Sequence, residues 1–557
     1  MKILQPIDVL LLNDRPFEVI SGGMDVLVLH SRPFDAREQF KFRIVSAIHR
    51  FLQRAPLKNI RNRQEDPRWD LGADANLSLI SVVLATGLEE LGVRYKVWDT
   101  DNLLLCHRED VVKDLRKNPK IIAVSSSHFT TEDEFVSFIQ FIRKYNRTAS
   151  LVVGGQLLDI CPNIEEQIPE VDYFVYGDGE LVFPRLVKAI LSNKDTVDDI
   201  PGVRYRKNGS YHSSHERDIV DINTVPLPRW DLVLKRDFNN FGCKNSPFLP
   251  MVFIEEVRGC RKGCAFCSYP RSTPRMKTAD RIISEIRQSA GVGLKHFNIY
   301  SALFTSPVRH CREVLERIIR ENLNITFSCQ ARIDDLYGNP DLLDLMKRAG
   351  CIHISTGIES GDSEQLKRMK KPLDVKKIPS IVKKIHKLGI SLTGNFFIGF
   401  PGETKKTIET TYSLLRKCNF STLYLSAFVV EKASAVFRNR DKYGLEVNED
   451  GRQWRHPTMT SKEAEEQTAR LFIKVANDPD LRSVLWVIQW RFARFFTNLL
   501  MQAHHPETWQ LLRLLQKGVA NELEFALDNK LESGHIARQN RLWKRILSGN
   551  ILLREGE

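Results

Sequence analysis

Three cysteines within eight residues form the densest group of reactive side chains in the sequence. They are Cys260, Cys264 and Cys267, spaced Cys-x3-Cys-x2-Cys. Three thiolates on one loop can bind three irons of a 4Fe-4S cubane and leave the fourth iron open to a chelating substrate. A structural zinc site would need a fourth Cys or His, and neither Cys243 nor His296 has the short spacing of a zinc knuckle. The spacing therefore predicts an iron–sulfur cluster with one open iron.

The segment around these cysteines alternates apolar runs with helical patterns over residues 251–432. Such alternation predicts parallel strands joined by right-handed crossovers. Six strand–helix units predict a partial (β/α)6 barrel, with the cysteines in the loop after its first strand. The predicted strands are Val252–Val257, Phe297–Tyr300, Ile325–Cys329, Ile352–Thr356, Leu392–Ile398 and Thr422–Val429. The basic run Lys367–Lys371 is predicted to be a helix face.

The front of the chain, residues 1–195, also alternates strand and helix patterns, which predicts a Rossmann-like parallel sheet. Predicted strands are Val26–Leu29, Tyr95–Trp98, Ile121–Val124, Leu151–Val153 and Tyr173–Tyr176. Small and acidic residues follow the last three strands, where such sheets bind ligands. These candidate ligand loops contain Ser125, Ser126, Ser127, Gly154, Gly155, Gly177, Gly179 and Glu180. Tight strand-to-helix turns are the alternative explanation of the glycines.

Two further segments complete the predicted organisation. Residues 196–250 contain the proline-rich stretch 223–230, which predicts an extended connector. Residues 433–557 are rich in helical patterns, and we predict an all-helical C-terminal domain.

Composition places the chain among globular proteins. It has 557 residues, of which 42% are hydrophobic, and a net charge of +13. It lacks both an apolar run long enough to span a bilayer and a signal-peptide pattern, so we expect a cytoplasmic protein without membrane contact. The basic residues are dispersed and accompany no nucleic-acid-binding motif, so no nucleic acid partner is expected.

Three segments together resemble the radical S-adenosylmethionine superfamily. The first is the cysteine motif with Phe266 before its last cysteine. The second is the segment 357–361 (Gly-Ile-Glu-Ser-Gly), which looks like the family's fourth strand, and the third is 397–404 (Phe-Ile-Gly-Phe-Pro-Gly-Glu-Thr), which looks like its fifth-strand turn. The resemblance implies that S-adenosylmethionine chelates the open iron and that reductive cleavage yields a 5′-deoxyadenosyl radical, with a flavodoxin or ferredoxin as the one-electron donor.

The same resemblance implies S-adenosylmethionine contacts at Phe266, Tyr300, Ser328, Arg332 and Glu359. A solvent-facing salt bridge is the alternative for Arg332, and a helix N-terminal carboxylate is the alternative for Glu359. The segment 300–305 (Tyr-Ser-Ala-Leu-Phe-Thr) keeps the family's Phe-Thr pair but lacks the acidic residues that usually precede it.

A Rossmann-like domain before a radical domain resembles the cobalamin-binding subclass of the superfamily. The resemblance implies that the three candidate ligand loops bind cobalamin. The Asp-x-His-x-x-Gly motif that supplies a histidine ligand in other cobalamin proteins is absent, and His128 has the wrong spacing. We therefore expect cobalamin without a lower histidine ligand; a degenerate domain that has lost the cofactor is the alternative.

Near the start of the C-terminal segment, Trp454-Arg455-His456-Pro457-Thr458-Met459 loosely resembles the phosphinate P-methyltransferase subgroup. The resemblance implies that Trp454 and His456 contact substrate; a core aromatic and a capping histidine are the alternative. These features lead to a predicted cobalamin-dependent radical methyltransferase acting on an unactivated carbon or a phosphinate of a small molecule, as in natural product biosynthesis. A radical cyclase or rearrangement enzyme and a non-catalytic cobalamin or cluster sensor remain alternatives.

Overall fold

The computed structural model describes residues 7–15, 79–101, 103–193, 197–239 and 252–485, with short gaps inside these ranges, and a few residues near 520. The predicted strand Val26–Leu29 and the residue His128 lie outside the described residues. The chain forms two compact units. The first holds the described residues up to 253 together with 275–295, and the second holds 254–274 and the described residues after 295. The domain boundaries predicted from sequence, at 195, 250 and 432, stay predictions.

The strands are numbered in chain order. They are β1 Val9–Arg15, β2 Tyr95–Asp101, β3 Ile121–Ser125, β4 Ser150–Gly154, β5 Tyr173–Val175, β6 Val203–Lys207, β7 Ser210–Ser213, β8 Phe238–Asn239, β9 Val252–Glu255, β10 Val257–Arg258, β11 Arg275–Met276, β12 His296–Tyr300, β13 Thr326–Gln330, β14 Cys351–Glu359, β15 Ser391–Ile398, β16 Thr422–Ala427, β17 Glu446–Val447, β18 Trp454–His456, β19 Met459–Thr460 and β20 Val484–Leu485.

The α-helices are numbered in the same way. They are α1 Leu79–Glu90, α2 Leu103–Leu115, α3 Glu132–Tyr145, α4 Leu157–Ile160, α5 Ile164–Gln167, α6 Gly179–Leu191, α7 Ala279–Gly291, α8 Val308–Arg320, α9 Ile333–Gly338, α10 Leu342–Arg348, α11 Ser363–Arg368, α12 Ile378–Lys387, α13 Lys405–Cys418, α14 Ala435–Arg438 and α15 Ser461–Asn477. Short 3-10 helices cover Trp230–Leu234, Val375–Lys377 and Arg440–Tyr443.

The first unit is built on an eight-stranded sheet in the order β7-β6-β5-β4-β3-β1-β2-β8. Strands β1 to β5 and β8 are parallel to one another. Strand β6 pairs antiparallel with β5, and β7 pairs antiparallel with β6. The parallel sheet predicted from alternating patterns is confirmed. The strand order reverses between β1 and β3, which is the kind of switch point where open α/β sheets form a ligand crevice.

The second unit contains a seven-stranded sheet in the order β20-β16-β15-β14-β13-β12-β9. Strands β12 to β16 and β20 pair in parallel. All six strands predicted for the partial barrel are present and follow chain order across the sheet. Strand β14 is longer than its sequence pattern predicted, because it continues through Gly357 and ends at Glu359.

The C-terminal segment is only partly helical among its described residues. Helix α15 lies in this segment and packs against β15 and β16, but the segment is not all-helical as predicted. A three-stranded antiparallel sheet of β17, β18 and β19 precedes it, and β20 joins the edge of the main sheet. The sequence analysis did not predict these strands, because each has only two or three residues, too few for a period of two to be recognised.

A search of the described residues finds no helix with the length and apolar character needed to cross a membrane.

Candidate cluster loop and its surroundings

The cysteine loop follows β9 and β10 and has neither helix nor strand between Gly259 and Ser268. Its centre is fixed by Ala265, which is fully buried. The Ala265 amide donates to the Met369 carbonyl at 2.8 Å, and its carbonyl accepts from the Val436 amide at 2.8 Å. Backbone hydrogen bonds to two distant segments hold a loop that has no regular structure of its own.

The three cysteine side chains flank this anchor. Cys260, Cys264 and Cys267 are all half-buried thiols. The Lys262 amide donates to Cys260 Sγ at 3.4 Å, and the Cys267 amide donates to the Cys264 carbonyl at 3.4 Å. The loop thus makes two short local turns beside its thiols, with a backbone amide and a basic residue nearby, an environment that suits an anionic metal–sulfur group.

Charged side chains in and between β9 and β10, which lead into the cysteine loop, form ion pairs. Arg258 binds Glu255 through two nitrogens at 2.8–2.9 Å. The Glu256 amide donates to the Tyr300 carbonyl at 3.0 Å, and the buried Glu256 carboxylate lies 3.3 Å from His310 Nε2. These contacts join the first strand of the barrel to the second strand and to α8.

Glu359 ends β14 in a left-handed conformation, with φ of +71°. Its carboxylate forms a 2.7 Å ion pair with Lys371, and both side chains are about nine-tenths buried. A Cβ at Gly357 would lie 2.1 Å from the Glu359 carboxylate and 2.8 Å from Lys371 Nζ, so only glycine at 357 leaves room for the pair. The Asp362 side chain accepts from the Gln365 amide and begins α11 directly after this turn.

Lys371 is the residue that the sequence analysis missed. We predicted that the run Lys367–Lys371 forms a helix face, but α11 ends at Arg368 and the chain then turns. Lys367 is exposed, whereas Lys371 is buried against Glu359. The sequence offered one signal: Lys371 comes soon after Glu359, which lies in the segment that resembles the family's fourth strand. A run of lysines by itself is typical of a solvated surface.

Arg332 lies at the N-terminus of α9 and is 7% exposed. Burial opposes its charge, yet two 2.7 Å hydrogen bonds to Asp334, and the nearby Cys264 sulfur, raise the pKa of Arg332 above its usual value. The Arg332 amide donates to Thr305 Oγ1 at 3.1 Å, and that hydroxyl donates to Asp335 at 3.0 Å. Burial raises the pKa of the Asp335 carboxyl. The salt bridge considered for Arg332 is present, but the Arg332 side chain is buried and its partner Asp334 is partly exposed.

The Phe-Thr pair that survives in this sequence therefore has a structural function. Thr305 connects the end of the second barrel strand to the turn after the third, and the Phe304 ring packs edge-on against Phe327 at 6.1 Å. Tyr300, at the end of β12, is 45% exposed.

Phe266 is brought against the fifth barrel strand. Its ring meets Phe397 edge-on at 4.9 Å, and Phe397 stacks on Phe428 at 5.7 Å. Phe428 also packs against Phe400. These four rings form an aromatic wall that connects the cysteine loop with the turn after β15. Two of the segments that resemble the radical superfamily are thus in direct contact.

Trp454 and His456 both pack beneath that turn. They are buried, and their rings stack at 5.2 Å. Trp454 Nε1 donates to the Phe428 carbonyl at 3.0 Å, and His456 Nε2 lies 3.0 Å from the Gly399 carbonyl. Burial lowers the pKa of His456. Because the Thr458 amide donates to Nδ1, the proton lies on Nε2. These are the contacts of a core aromatic and a capping histidine; contact with substrate stays a prediction.

The turn itself contains a buried carboxyl. Glu403 is fully buried and accepts from the Thr407 hydroxyl. Burial raises the pKa of Glu403 to about 7. Gly399 has φ of +106°, and a Cβ there would lie 2.5 Å from Ala464 and 2.8 Å from the Trp454 ring. The turn is thus shaped by close packing from the C-terminal segment.

In the first unit, the three candidate ligand loops follow the adjacent parallel strands β3, β4 and β5 and lie at one edge of the sheet. The Ser126 amide donates to the Gly154 carbonyl at 2.7 Å, and Ser127 Oγ accepts from the Gln156 amide at 3.3 Å. A Cβ on Gly155, which has φ of +115°, would collide with the Ser126 and Ser127 backbone. The glycine at 155 is thus required by the protein's own turn, whatever binds there.

The third of these loops is held by a basic residue. Asp178 precedes α6, and its carboxylate forms an ion pair with Arg275. Gly177 has φ of +81°, while Gly179 and Glu180 begin the helix. Ser126 Oγ is buried and has no hydrogen-bond partner among the described protein atoms, and Ser125 Oγ accepts from the Ser127 amide. These contacts hold the loops and leave the buried Ser126 hydroxyl without a hydrogen-bond partner among the described protein atoms.

Residues 254–415 match the family model described as the Radical SAM superfamily. The chain contains a radical SAM domain. This domain includes the cysteine loop, the Glu359–Lys371 pair and the turn after β15. The match covers under a third of the chain.

Two curated relatives extend the comparison. The chain is 26% identical over 315 residues to an uncharacterized methyltransferase of Pyrococcus horikoshii, covering 55% of this chain and 66% of that protein. It is 21% identical over 351 residues to cytidylyl-2-hydroxyethylphosphonate methyltransferase of Streptomyces wedmorensis, covering 56% of this chain and 65% of that protein. The chain thus spans just under two thirds of the length of these relatives.

Two solved structures share the fold. The radical S-adenosylmethionine methyltransferase TsrM of Kitasatospora setae, with cobalamin and a 4Fe-4S cluster bound, aligns with TM-score 0.56 and 15% identity over 80% of this chain and 81% of its own. OxsB, a cobalamin-dependent radical enzyme with aqua-cobalamin and S-adenosylmethionine bound, aligns with TM-score 0.57 and 14% identity over 97% of this chain and 84% of its own. The predicted fold class, a Rossmann-like domain followed by a partial radical barrel, is confirmed.

Proposed function

We propose that this protein is a cobalamin-dependent radical S-adenosylmethionine methyltransferase that methylates an unactivated carbon or a phosphinate of a small molecule. The observation that carries the proposal is the three-thiol loop, which two distant backbone segments anchor inside a radical SAM domain. The methyltransferase relatives and the shared fold of TsrM and OxsB support the reaction type.

The donor set fits a 4Fe-4S cluster. Cys260, Cys264 and Cys267 supply three sulfur ligands, the number that leaves one iron open. When bound there, the cluster supplies the electron that cleaves S-adenosylmethionine. The protein holds the thiols on one loop. The buried Glu359–Lys371 pair and the buried Arg332 side chain present charge without the reorganisation that water would need.

The front sheet fits a large ligand such as cobalamin. Its three loops share one sheet edge beside the strand-order reversal, and the buried Ser126 hydroxyl is left to a ligand. The residues proposed to bind cobalamin are Ser125, Ser126, Ser127, Gly154, Gly155, Gly177, Gly179 and Glu180. A histidine ligand below cobalt is not expected, because the sequence lacks the motif that supplies it.

The remaining parts of the proposal concern contacts and setting. Phe266, Tyr300, Arg332 and Glu359 are proposed to contact S-adenosylmethionine. Ser328, predicted with them, is buried on β13 in register with His353 and is not included. Electrons would come from a flavodoxin or ferredoxin, the reaction would take place in the cytoplasm, and the product would be a natural product or a related small molecule.

The test uses anaerobically purified, reconstituted protein. Replacing Cys260, Cys264 or Cys267 with Ala should remove cluster iron and abolish 5′-deoxyadenosine formation, because two thiolates cannot hold the cubane. The matched control is Cys418→Ala, a buried cysteine outside the loop, which should keep iron and activity. Wild-type cleavage in a Cys264→Ala variant would refute the cluster assignment.

Two further measurements separate the methyltransferase from other radical enzymes. Cobalamin quantitation should give about one equivalent per chain, and the spectrum of bound cob(II)alamin should lack nitrogen splitting from a protein histidine. Mass spectrometry of products should show one added methyl group; a product of unchanged carbon count would favour a cyclase or rearrangement enzyme instead.

A further inference from the structure

Three neighbouring strands of the barrel sheet carry polar residues at one level. In the strand register, Ser328 of β13 lies opposite His353 of β14, and His353 lies opposite Ser391 of β15. Residues at matching register positions point to the same side of a parallel sheet. The intervening positions, such as Ile354 and Leu392, are fully buried and apolar. The three polar residues therefore share the polar face of the sheet, opposite its apolar face.

All three side chains are buried with unmet hydrogen-bonding capacity. Ser328, His353 and Ser391 are 6%, 9% and 2% exposed. Ser328 Oγ, His353 Nδ1 and Ser391 Oγ have no hydrogen-bond partner among the described protein atoms. A single unsatisfied buried polar group costs about 1–3 kcal/mol. Three such atoms lie on adjacent strands at one level. A polar ligand that hydrogen-bonds to all three would remove the free-energy cost of leaving them unsatisfied.

Polar neighbours on either side of this level are already satisfied. His296 Nδ1 and Thr326 Oγ1 lie 2.6 Å apart. On the other side, Thr393 Oγ1 lies 3.2 Å from His353 Nε2 and also contacts Thr422 Oγ1. Direct hydrogen bonds thus satisfy the polar side chains two residues before Ser328 and two residues after Ser391, and leave the three unmet atoms on the level between them.

The side chains of Ser328, His353 and Ser391 are uncharged and therefore suit a neutral ligand. Burial lowers the pKa of His353 to about 4, so the ring is neutral at ordinary pH. A neutral imidazole has one donor and one acceptor nitrogen, and each serine hydroxyl both donates and accepts. Water matches either histidine tautomer and both hydroxyls, and buried waters typically make about three hydrogen bonds.

We propose that Ser328, His353 and Ser391 bind a small cluster of ordered water in the barrel sheet, centred on His353 Nδ1. His353 and Glu359 are separated along β14 by about 20 Å at the usual rise of a strand. The water site therefore lies at the opposite end of this strand from the Glu359–Lys371 pair. It fixes the amino-terminal end of the sheet through hydrogen bonds between strands.

A crystal structure of the full-length protein at high resolution tests the site directly. Water density within hydrogen-bond distance of His353 Nδ1 and of at least one of the two serine hydroxyls is expected. A dry site, or direct contacts among the three side chains, would overturn the proposal.

The sign of a stability change gives an independent test. If water completes the network, Ser391→Ala and Ser328→Ala each remove a partner and should lower the thermal midpoint by about 2–4 °C. If the hydroxyls are truly unsatisfied, the same changes should leave the midpoint unchanged or raise it. The matched control is Thr356→Val on β14, which removes a buried, unpartnered hydroxyl outside the row and should not lower the midpoint.

The coupling between the stability changes of Ser328→Ala and Ser391→Ala tests whether the two serines bind the same water cluster. The Ser328→Ala/Ser391→Ala double variant should lose less than the sum of the single losses, because either change already disrupts the shared cluster. Strict additivity would show two independent sites and overturn the shared one.

Discussion

Two pairs of buried side chains in the second unit differ in how they use their hydrogen bonds. Glu359 and Lys371 form a buried ion pair above Gly357, with charged groups that can accept and donate further. Trp454 and His456 form a neutral stacked pair beneath Gly399, and their ring N–H groups bond to backbone carbonyls. Both pairs pack against a glycine of the radical SAM domain. The Glu359–Lys371 pair can still hydrogen-bond to a ligand, whereas the ring N–H groups of Trp454 and His456 already donate to the protein.

This difference teaches that residue type alone does not identify a binding group. A tryptophan and a histidine in a family-like segment are plausible substrate contacts from sequence, but the structure shows their donors in use. A lysine in a basic run resembles surface, but Lys371 is buried opposite a carboxylate. The predictions below test whether the two pairs differ in function as their contacts indicate.

The largest effect is expected at the ion pair. Lys371→Met would leave the Glu359 carboxylate buried without its counter-charge, which should destabilise the fold by about 3–5 kcal/mol and abolish S-adenosylmethionine cleavage. Urea unfolding and 5′-deoxyadenosine formation are the measurements.

The matched control for this change is Lys367→Met, which removes an exposed lysine of the same basic run. It should leave the urea midpoint essentially unchanged, because an exposed ion pair contributes little to stability. If the two variants behave alike, the ion pair is not a special feature of the site.

A pH-dependent effect is expected from Glu403, in the turn above Trp454. Its folded pKa of about 7 exceeds the ordinary value of 4.5, so its stability contribution is full below about pH 4.5 and is lost as pH rises through 7. Glu403→Gln removes the ionisation and should be more stable than wild type at pH 8 by about 3 kcal/mol, but not at pH 4.5. Denaturant midpoints across this range provide the measurement.

Glu364→Gln, at an exposed position of α11, is the control for that experiment and should follow the wild-type pH profile. Equal pH profiles for Glu403→Gln and wild type would show that the Glu403 carboxyl is not held neutral by burial.

The smallest effect is expected at the neutral pair. Trp454→Phe keeps an aromatic ring but leaves the Phe428 carbonyl without its donor, which should destabilise the protein by about 1–3 kcal/mol. Methylation per folded molecule should stay unchanged, as kcat and KM would show. A raised KM for substrate with unchanged stability would instead support the substrate contact predicted from sequence.

The fold could be predicted in large part because parallel strands have continuous apolar runs. Strands β12 to β16 were found in this way, with errors of a few residues at their ends. Strand β1 was missed, although Val9–Leu12 are fully buried in the middle of the front sheet. A lone apolar run near the N-terminus gives no periodic pattern with a neighbouring helix, so its place in the sheet depends on partners far along the chain.

The site could be predicted less completely than the fold. The cysteine site could be recognised from sequence, because all three cluster ligands lie on one loop and none depends on a distant residue. Lys371 and Thr305 could not be assigned roles in this way, because their significance comes from Glu359 and Asp335, residues that only folding brings near.

The sequence by itself determined the cluster-type cysteine loop, the order of strands and helices, and the glycine-bearing turns, because each depends on residues close together in the chain. Tertiary structure decided which polar groups are paired and which remain available. It buried Lys371 against Glu359, directed Trp454 and His456 to backbone carbonyls, and aligned Ser328, His353 and Ser391 across three strands. Hydrogen bonding and burial are properties of groups in space, and distance along the chain does not encode them.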